Sequence, residues 1–354
     1  MQFLSSVCCS TCVTRSPAPA MQKSEVSLRS VMRPPLQVRL RGREELERIW
    51  RAGVDAVQPG RLTRRFSRVE RGLFRWQRGD SCFDVTLPEA GGRIYVAGAG
   101  KAVVPFAAAL AETLGTNLHS GLVVTKAHHL RAGVAARMDS RIHVLEAAHP
   151  VPDERSVIAA EELIRFLDQC SPGDLVFFLI TGGASALLAA PAFGLSLVDK
   201  QAVTRLLLSR DANIDEINAV RRHLSRLKGG GVLRHVNGAR VVTLAVSDVK
   251  DDLPQTIGSG PTVADPTTFA DVQLIFERFG LDREAPLPVR HHIARGLAGE
   301  AGETLKPGDQ RLRSTDFHIV ARREDATTAS VAAAESSGVL VERCSAELYG
   351  PVER

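Results

Sequence analysis

Leu175-Val-Phe-Phe-Leu-Ile-Thr-Gly-Gly-Ala-Ser185 is the stretch that decides the fold. Its apolar run from Leu175 to Ile180 is unbroken, so neither face is left for water. Such a run reads as a strand of a parallel sheet, covered on both sides by helices. It ends in Thr181-Gly-Gly-Ala-Ser185, small residues followed by helix-forming ones. An exit of that kind leaves backbone N–H groups uncovered where a helix begins. Helix N-termini carry partial positive charge, so a phosphorylated ligand fits there. Gly182, Gly183 and Ala184 would supply backbone donors, and Thr181 and Ser185 hydroxyl donors. The bland alternative for these residues is close packing of a helix on the sheet.

A second turn of the same design lies upstream in Tyr95-Val-Ala-Gly-Ala-Gly-Lys101. Gly98 and Gly100 are expected to open it for phosphate, and Lys101 to neutralise charge at the helix start. It is not a Walker A loop, because the four-residue spacer is missing and Ala102 replaces Ser or Thr. Nor is it the dinucleotide fingerprint, since Val103 stands where the third glycine belongs. A solvated Lys on a tight turn is the alternative reading.

Strands are expected at 94–97, 121–125, 142–146, 175–180, 240–246, 316–320 and 338–342, with helices between them. That alternation predicts an α/β protein, a doubly wound, mostly parallel Rossmann-like sheet. Residues 66–86 read as hairpin-like, and 44–57 as an amphipathic helix. Ser196 with Asp199 and Asn213 with Glu216 predict capping boxes for helices 197–209 and 214–228. Gly229-Gly-Gly231 suggests a boundary: a basic, disordered arm over 1–43, a first α/β domain over 44–236 and an incomplete second one over 237–354.

The net charge of the 354 residues is +5. It resides in residues 1–43, which hold seven Lys or Arg against Glu25. With aromatics at 5%, the chain has neither the charge nor the stacking platforms of a nucleic-acid binder. No apolar run reaches the ~20 residues of a membrane span. The six cysteines lack the spacing of a zinc site, and free thiols in a reducing compartment are the expectation. The cytoplasm follows, or the mitochondrion if the Arg- and Ser-rich arm is a targeting segment.

Two further groups carry candidate chemistry. Arg222 and Lys228 stand in the basic run Arg221–Lys228, where they reach an anionic substrate or only solvate a helix end. Asp248 and Asp252 follow the strand 240–246, at the strand end where open α/β sheets bind ligands. Either suits Mg²⁺ between nucleotide phosphates, or turn capping. His149, in His149-Pro-Val-Pro-Asp153, is a loop histidine or a base.

These motifs agree in order with one family. Val96-Ala-Gly-Ala-Gly-Lys-Ala102, His149-Pro-Val-Pro-Asp153, Thr181-Gly-Gly-Ala-Ser-Ala-Leu-Leu188, Asn218-Ala-Val-Arg-Arg-His-Leu-Ser-Arg-Leu-Lys-Gly-Gly230, Ser247-Asp-Val249 and Ile257-Gly-Ser-Gly-Pro-Thr262 resemble the class II glycerate 2-kinases. That family has a DUF4147-type N-terminal domain and a C-terminal MOFRL domain. The resemblance implies ATP- and Mg²⁺-dependent phosphorylation of D-glycerate at its 2-hydroxyl, with Lys101 in the place of the catalytic Lys. The family's later Gly-Gly-Glu-Thr and Gly-Gly-Arg-Asn-Gln-Glu motifs, the second bearing a catalytic Arg, are not in this sequence. A truncated second domain, loosely held, is therefore expected. A nicotinamide-dependent hydroxypyruvate reductase and a non-catalytic relic that only binds ligand stay open, as does a homo-oligomer.

Overall fold

The computed structural model describes residues 36–79, 81–89, 91–130, 138–339 and 341. The arm expected over 1–43 falls outside them as far as residue 35. In chain order the elements are α1 (Leu36–Ala56), α2 (Pro59–Phe66), β1 (Ser67–Glu70), β2 (Leu73–Arg78) and β3 (Ser81–Thr86). Next come β4 (Ile94–Ala99), α3 (Val103–Leu114), β5 (Leu118–Lys126), β6 (Ile142–Ala147), α4 (Glu154–Leu167) and β7 (Leu175–Ile180). Then follow α5 (Ala184–Leu187), α6 (Leu197–Ser209), α7 (Ile214–His223) and β8 (Arg240–Val246). The last are α8 (Phe269–Arg278), α9 (Leu281–Glu284), α10 (Leu287–Leu297), β9 (Thr315–Ala321) and α11 (Arg323–Glu335).

Six strands form one parallel sheet in the order β6-β5-β4-β7-β8-β9. The unbroken apolar run of β7 is explained by its two covered faces. Val176, Phe178 and Ile180 pack with α4 and α5, while Leu175, Phe177 and Leu179 pack with α3. β1, β2 and β3 form a small antiparallel sheet, and Phe74, Trp76 and Val85 carry its inner face into the core around α3. A third core joins Val203 and Leu207 of α6, Ile217 and Val220 of α7, Phe276 of α8 and Ile293 of α10.

The domain boundary expected near 229–238 is not present. β8 follows it, yet pairs with β7 from Leu175↔Arg240 to Ile180↔Ala245 and continues the same sheet. The glycines there are a packed turn and not a linker. Gly230 has φ +78, and a Cβ on it would lie 2.7 Å from Leu305 Cβ. By compactness the chain divides elsewhere, into residues 52–329 and a unit of 1–51 with 330–354. The first holds both sheets. In the second, Ser330 Oγ donates to Ile49 O at 3.2 Å.

The helix expected over 214–228 ends at His223. Beyond it Leu224 O accepts from Ala192 N and Arg226 N donates to Ala190 O, so pairing with 190–192 replaces the next helical turn. Residues 338, 339 and 341 form no strand, and 340 and 342 lie outside the described residues. No described helix is long and apolar enough to cross a membrane.

Candidate active site at the carboxyl ends of β4, β7 and β8

Parallel pairing of β4 with β7 brings the two glycine turns side by side, and pairing of β7 with β8 adds Ser247-Asp248. The first turn is knitted into the second. Gly100 N donates to Val124 O at 3.0 Å, Lys101 N to Gly182 O at 2.9 Å and Val103 N to Gly100 O at 3.3 Å. Ala102 N donates to Thr181 Oγ1 at 3.0 Å. Its N–H groups are therefore occupied, contrary to the expected phosphate role of Gly98 and Gly100. Those glycines answer a packing demand instead. With φ +148 and +145, their Cβ atoms would stand 2.1 Å from Leu179 O and 2.0 Å from Thr181 Oγ1. Thr181, buried and engaged with Ala102, holds the turns together.

In the second turn the N–H of Ala184 donates to Thr181 O at 3.3 Å, so Ala184 does not offer the backbone donor expected of it. Among the described residues, the N–H groups of Gly182, Gly183 and Ser185 find no acceptor. Gly183 takes φ +94 at the start of α5, and Ala184 is buried beneath. Ser185 Oγ shares a hydrogen bond of 3.0 Å with Ser259 Oγ. Ser259 Oγ donates in turn to Asn218 Oδ1 at 3.5 Å.

Around this turn stand three side chains. A Cβ on Gly182 would meet Asp248 Oδ2 at 2.3 Å and Lys101 Cε at 3.4 Å. A Cβ on Gly183 would meet His149 Nε2 at 3.0 Å and Lys101 Cγ at 3.3 Å. The two glycines are bare because Lys101, His149 and Asp248 fill the space above them. Burial lowers the His149 pKa, and Lys101 and Lys126 add to that against the opposing pull of Asp248. His149 is the member of this group least visible in the sequence, where only its rigid two-proline loop marks it.

The structure does not bring Arg222 to the turn. Its Nε lies 2.9 Å from Oδ1 of the fully buried Asp265, which also accepts from Thr267 and Thr304. Lys228 does reach the turn, from behind: its Nζ donates to Ser185 O at 2.7 Å and Leu188 O at 3.3 Å. Asp252 is turned away, with Oδ2 3.2 Å from Arg322 Nε. Of the two expected carboxylates, Asp248 is the one set against Gly182. Among the described residues no group of three or more His, Cys, Asp or Glu could hold a metal by itself. One carboxylate beside a bed of free N–H donors does suit Mg²⁺ held jointly with nucleotide phosphates.

Behind Arg222, His223 Nε2 lies 2.7 Å from Glu303 Oε1. Burial opposes ionisation of Glu303, but His223 and the N–H groups of Phe269 and Thr304 outweigh it and hold the carboxyl at about 2. A depressed carboxyl contributes stability that is complete above the ordinary value of 4.5 and is lost as pH falls toward about 2. Thermal denaturation should therefore show the midpoint falling across that window, with a shallower fall in Glu303→Gln. Equal slopes for both proteins would remove Glu303 from acid sensitivity.

Residues 45–294 match the family described as a domain of unknown function, DUF4147. A glycerate 2-kinase of Pyrococcus horikoshii is 44% identical over 218 residues, 62% of this chain and 48% of that protein. A protein of Agrobacterium vitis, provisionally named a hydroxypyruvate reductase, is 44% identical over 255 residues, 72% of this chain and 54% of its own length. The crystal structure of a glycerate kinase from Thermotoga maritima superposes with a TM-score of 0.66 at 30% identity, covering 84% of this chain and 63% of that one. The chain spans about half the length of the curated relatives it matches.

Proposed function

The chain belongs to the DUF4147 family, and from that premise we propose that it is a glycerate 2-kinase, moving the γ-phosphoryl group of ATP to the 2-hydroxyl of D-glycerate. The observation that carries this reading is the side chain of Lys101 lying over Gly182 and Gly183, beside a turn with unoccupied N–H donors. Phosphoryl transfer is chiefly positioning and charge stabilisation, and this group of residues supplies both. The free N–H groups of Gly182, Gly183 and Ser185 hold phosphate oxygens. The Lys101 ammonium stabilises the charge that gathers on the moving phosphoryl. Asp248 would hold Mg²⁺, which when bound neutralises phosphate charge.

His149 takes the proton. Its lowered pKa keeps the imidazole neutral at pH 7, so the ring accepts the proton of the 2-hydroxyl as that oxygen bonds to phosphorus and ADP departs. The expected pH profile has an acid limb below the ordinary 6.5 of histidine, from loss of the neutral base. His149→Asn should lower kcat and abolish that limb while KM for ATP holds. An unchanged limb in the variant would take the base role from His149.

The hydroxypyruvate reductase reading meets a chain without a dinucleotide fingerprint, since Val103 occupies the third glycine's place and the first turn's N–H groups are engaged. Purified protein should release ADP when D-glycerate is added to ATP and Mg²⁺. It should leave NADH unoxidised in the presence of hydroxypyruvate. The reverse pair of results would replace the kinase with a reductase.

A further inference from the structure

The charges behind the glycine turn are unbalanced. Lys228 Nζ donates to Ser185 O, inside α5, and to Leu188 O, just past its end. Lys200 Nζ, from α6, donates to Leu224 O at 2.7 Å, just past the end of α7. Its neighbour Gln201 donates to Pro152 O at 2.8 Å, which sets this part of α6 against the loop that carries His149. Arg221 completes the group. It follows Asn218 by three residues on α7 and so shares the helix face that reaches Ser259 and Ser185. Unlike Arg222, Arg226 and the two lysines, Arg221 makes no hydrogen bond or ion pair among the described residues.

Three cations thus crowd one place, and the partners of the two lysines are neutral carbonyls. Burial pushes Lys228 down to about 7, with Arg221 adding to it. Burial, then Lys228 and Arg221, push Lys200 well below its ordinary value. Lys228 is buried, and Lys200 and Arg221 are half-buried; gathering cations where water is scarce without a counter-charge is costly.

We propose that Lys200, Arg221 and Lys228 form the receptor for the carboxylate of the acceptor substrate, with the Arg221 guanidinium as its direct partner. A planar guanidinium binds a carboxylate through two parallel N–H···O bonds and fixes its orientation, which a single ammonium does not. The two lysines supply field and hold the carbonyls of α5 and the 224 turn in place. A carboxylate anchored on this side of Ser185 leaves the adjoining 2-hydroxyl to extend toward His149 and the phosphoryl group. The assignment rests on the kinase reading for the identity of the acid, and on the charge cluster alone for the anion.

Calorimetric titration of the purified protein with D-glycerate, D-lactate, acetate and glycerol tests it. D-glycerate and D-lactate are expected to bind, acetate more weakly, and glycerol, which lacks the carboxylate, not at all. Arg221→Gln should weaken D-glycerate by about tenfold or more while ATP binds as in the parent. Arg221→Lys, which keeps the charge and loses the fork, should fall between. Equal binding by Arg221→Gln and parent overturns the proposal, as does failure of every carboxylate to bind the parent, or glycerol matching D-glycerate. If carboxylates bind through Arg221 but D-glycerate is not phosphorylated, the receptor stands and the kinase reading falls.

Discussion

Lys101→Ala is expected to lower kcat for ATP-dependent phosphorylation of D-glycerate by about 10²- to 10³-fold, the usual loss when a charged group facing the transition state is removed. The side chain crosses Gly182 and Gly183 in the space their missing Cβ atoms leave. Its backbone N–H, bonded to Gly182 O, is untouched by the substitution. Denaturation of the variant should therefore match the parent, and the nucleotide should still bind at the free N–H groups of the second turn. Steady-state kinetics decides it: a variant within a few-fold of the parent would mean that another cation faces the phosphoryl group.

Arg222→Met is expected to act on stability, by about 3–5 kcal/mol, because it leaves the buried Asp265 carboxylate without its cation. Asp265 fastens several segments at once. Its carboxylate accepts from Thr267 and Thr304, and its N–H donates to Leu305 O. Loss of the pair should therefore loosen the contact between α7 and the 265–305 region. Urea denaturation read by circular dichroism measures it. Replacing both partners with apolar residues should recover much of the loss, since the penalty comes from the unpaired charge. An unchanged midpoint in Arg222→Met would free Arg222 for the ligand role that its sequence position suggests.

Features fixed by neighbouring residues were legible in the sequence. The capping boxes of α6 and α7 form as Ser196/Asp199 and Asn213/Glu216 predict, because each needs only residues three apart. The apolar run at 175–180 reads correctly as a strand covered on both faces, since no polar residue offers a wet side. What depends on strand order was not legible. Only the placement of β4 between β5 and β7 shows that the N–H groups of the first turn are taken, and that Gly98 and Gly100 make room for β7 and Thr181. The triple glycine at 229–231 looks like a linker until Leu305 is seen packed on Gly230. Arg221 and Arg222 are equivalent as letters. One meets Asp265 from a distant segment and the other meets no partner among the described residues, and no local pattern separates them.

The proposed reaction moves a phosphoryl group to the 2-hydroxyl of a small hydroxy acid. Phosphorus NMR of the purified protein with ATP, Mg²⁺ and D-glycerate tests it most directly. A new phosphomonoester signal split by one proton, that on C2, is expected to grow as the γ-phosphate of ATP declines. A signal split by the two protons of C3, or an ATP spectrum that does not change, would contradict it.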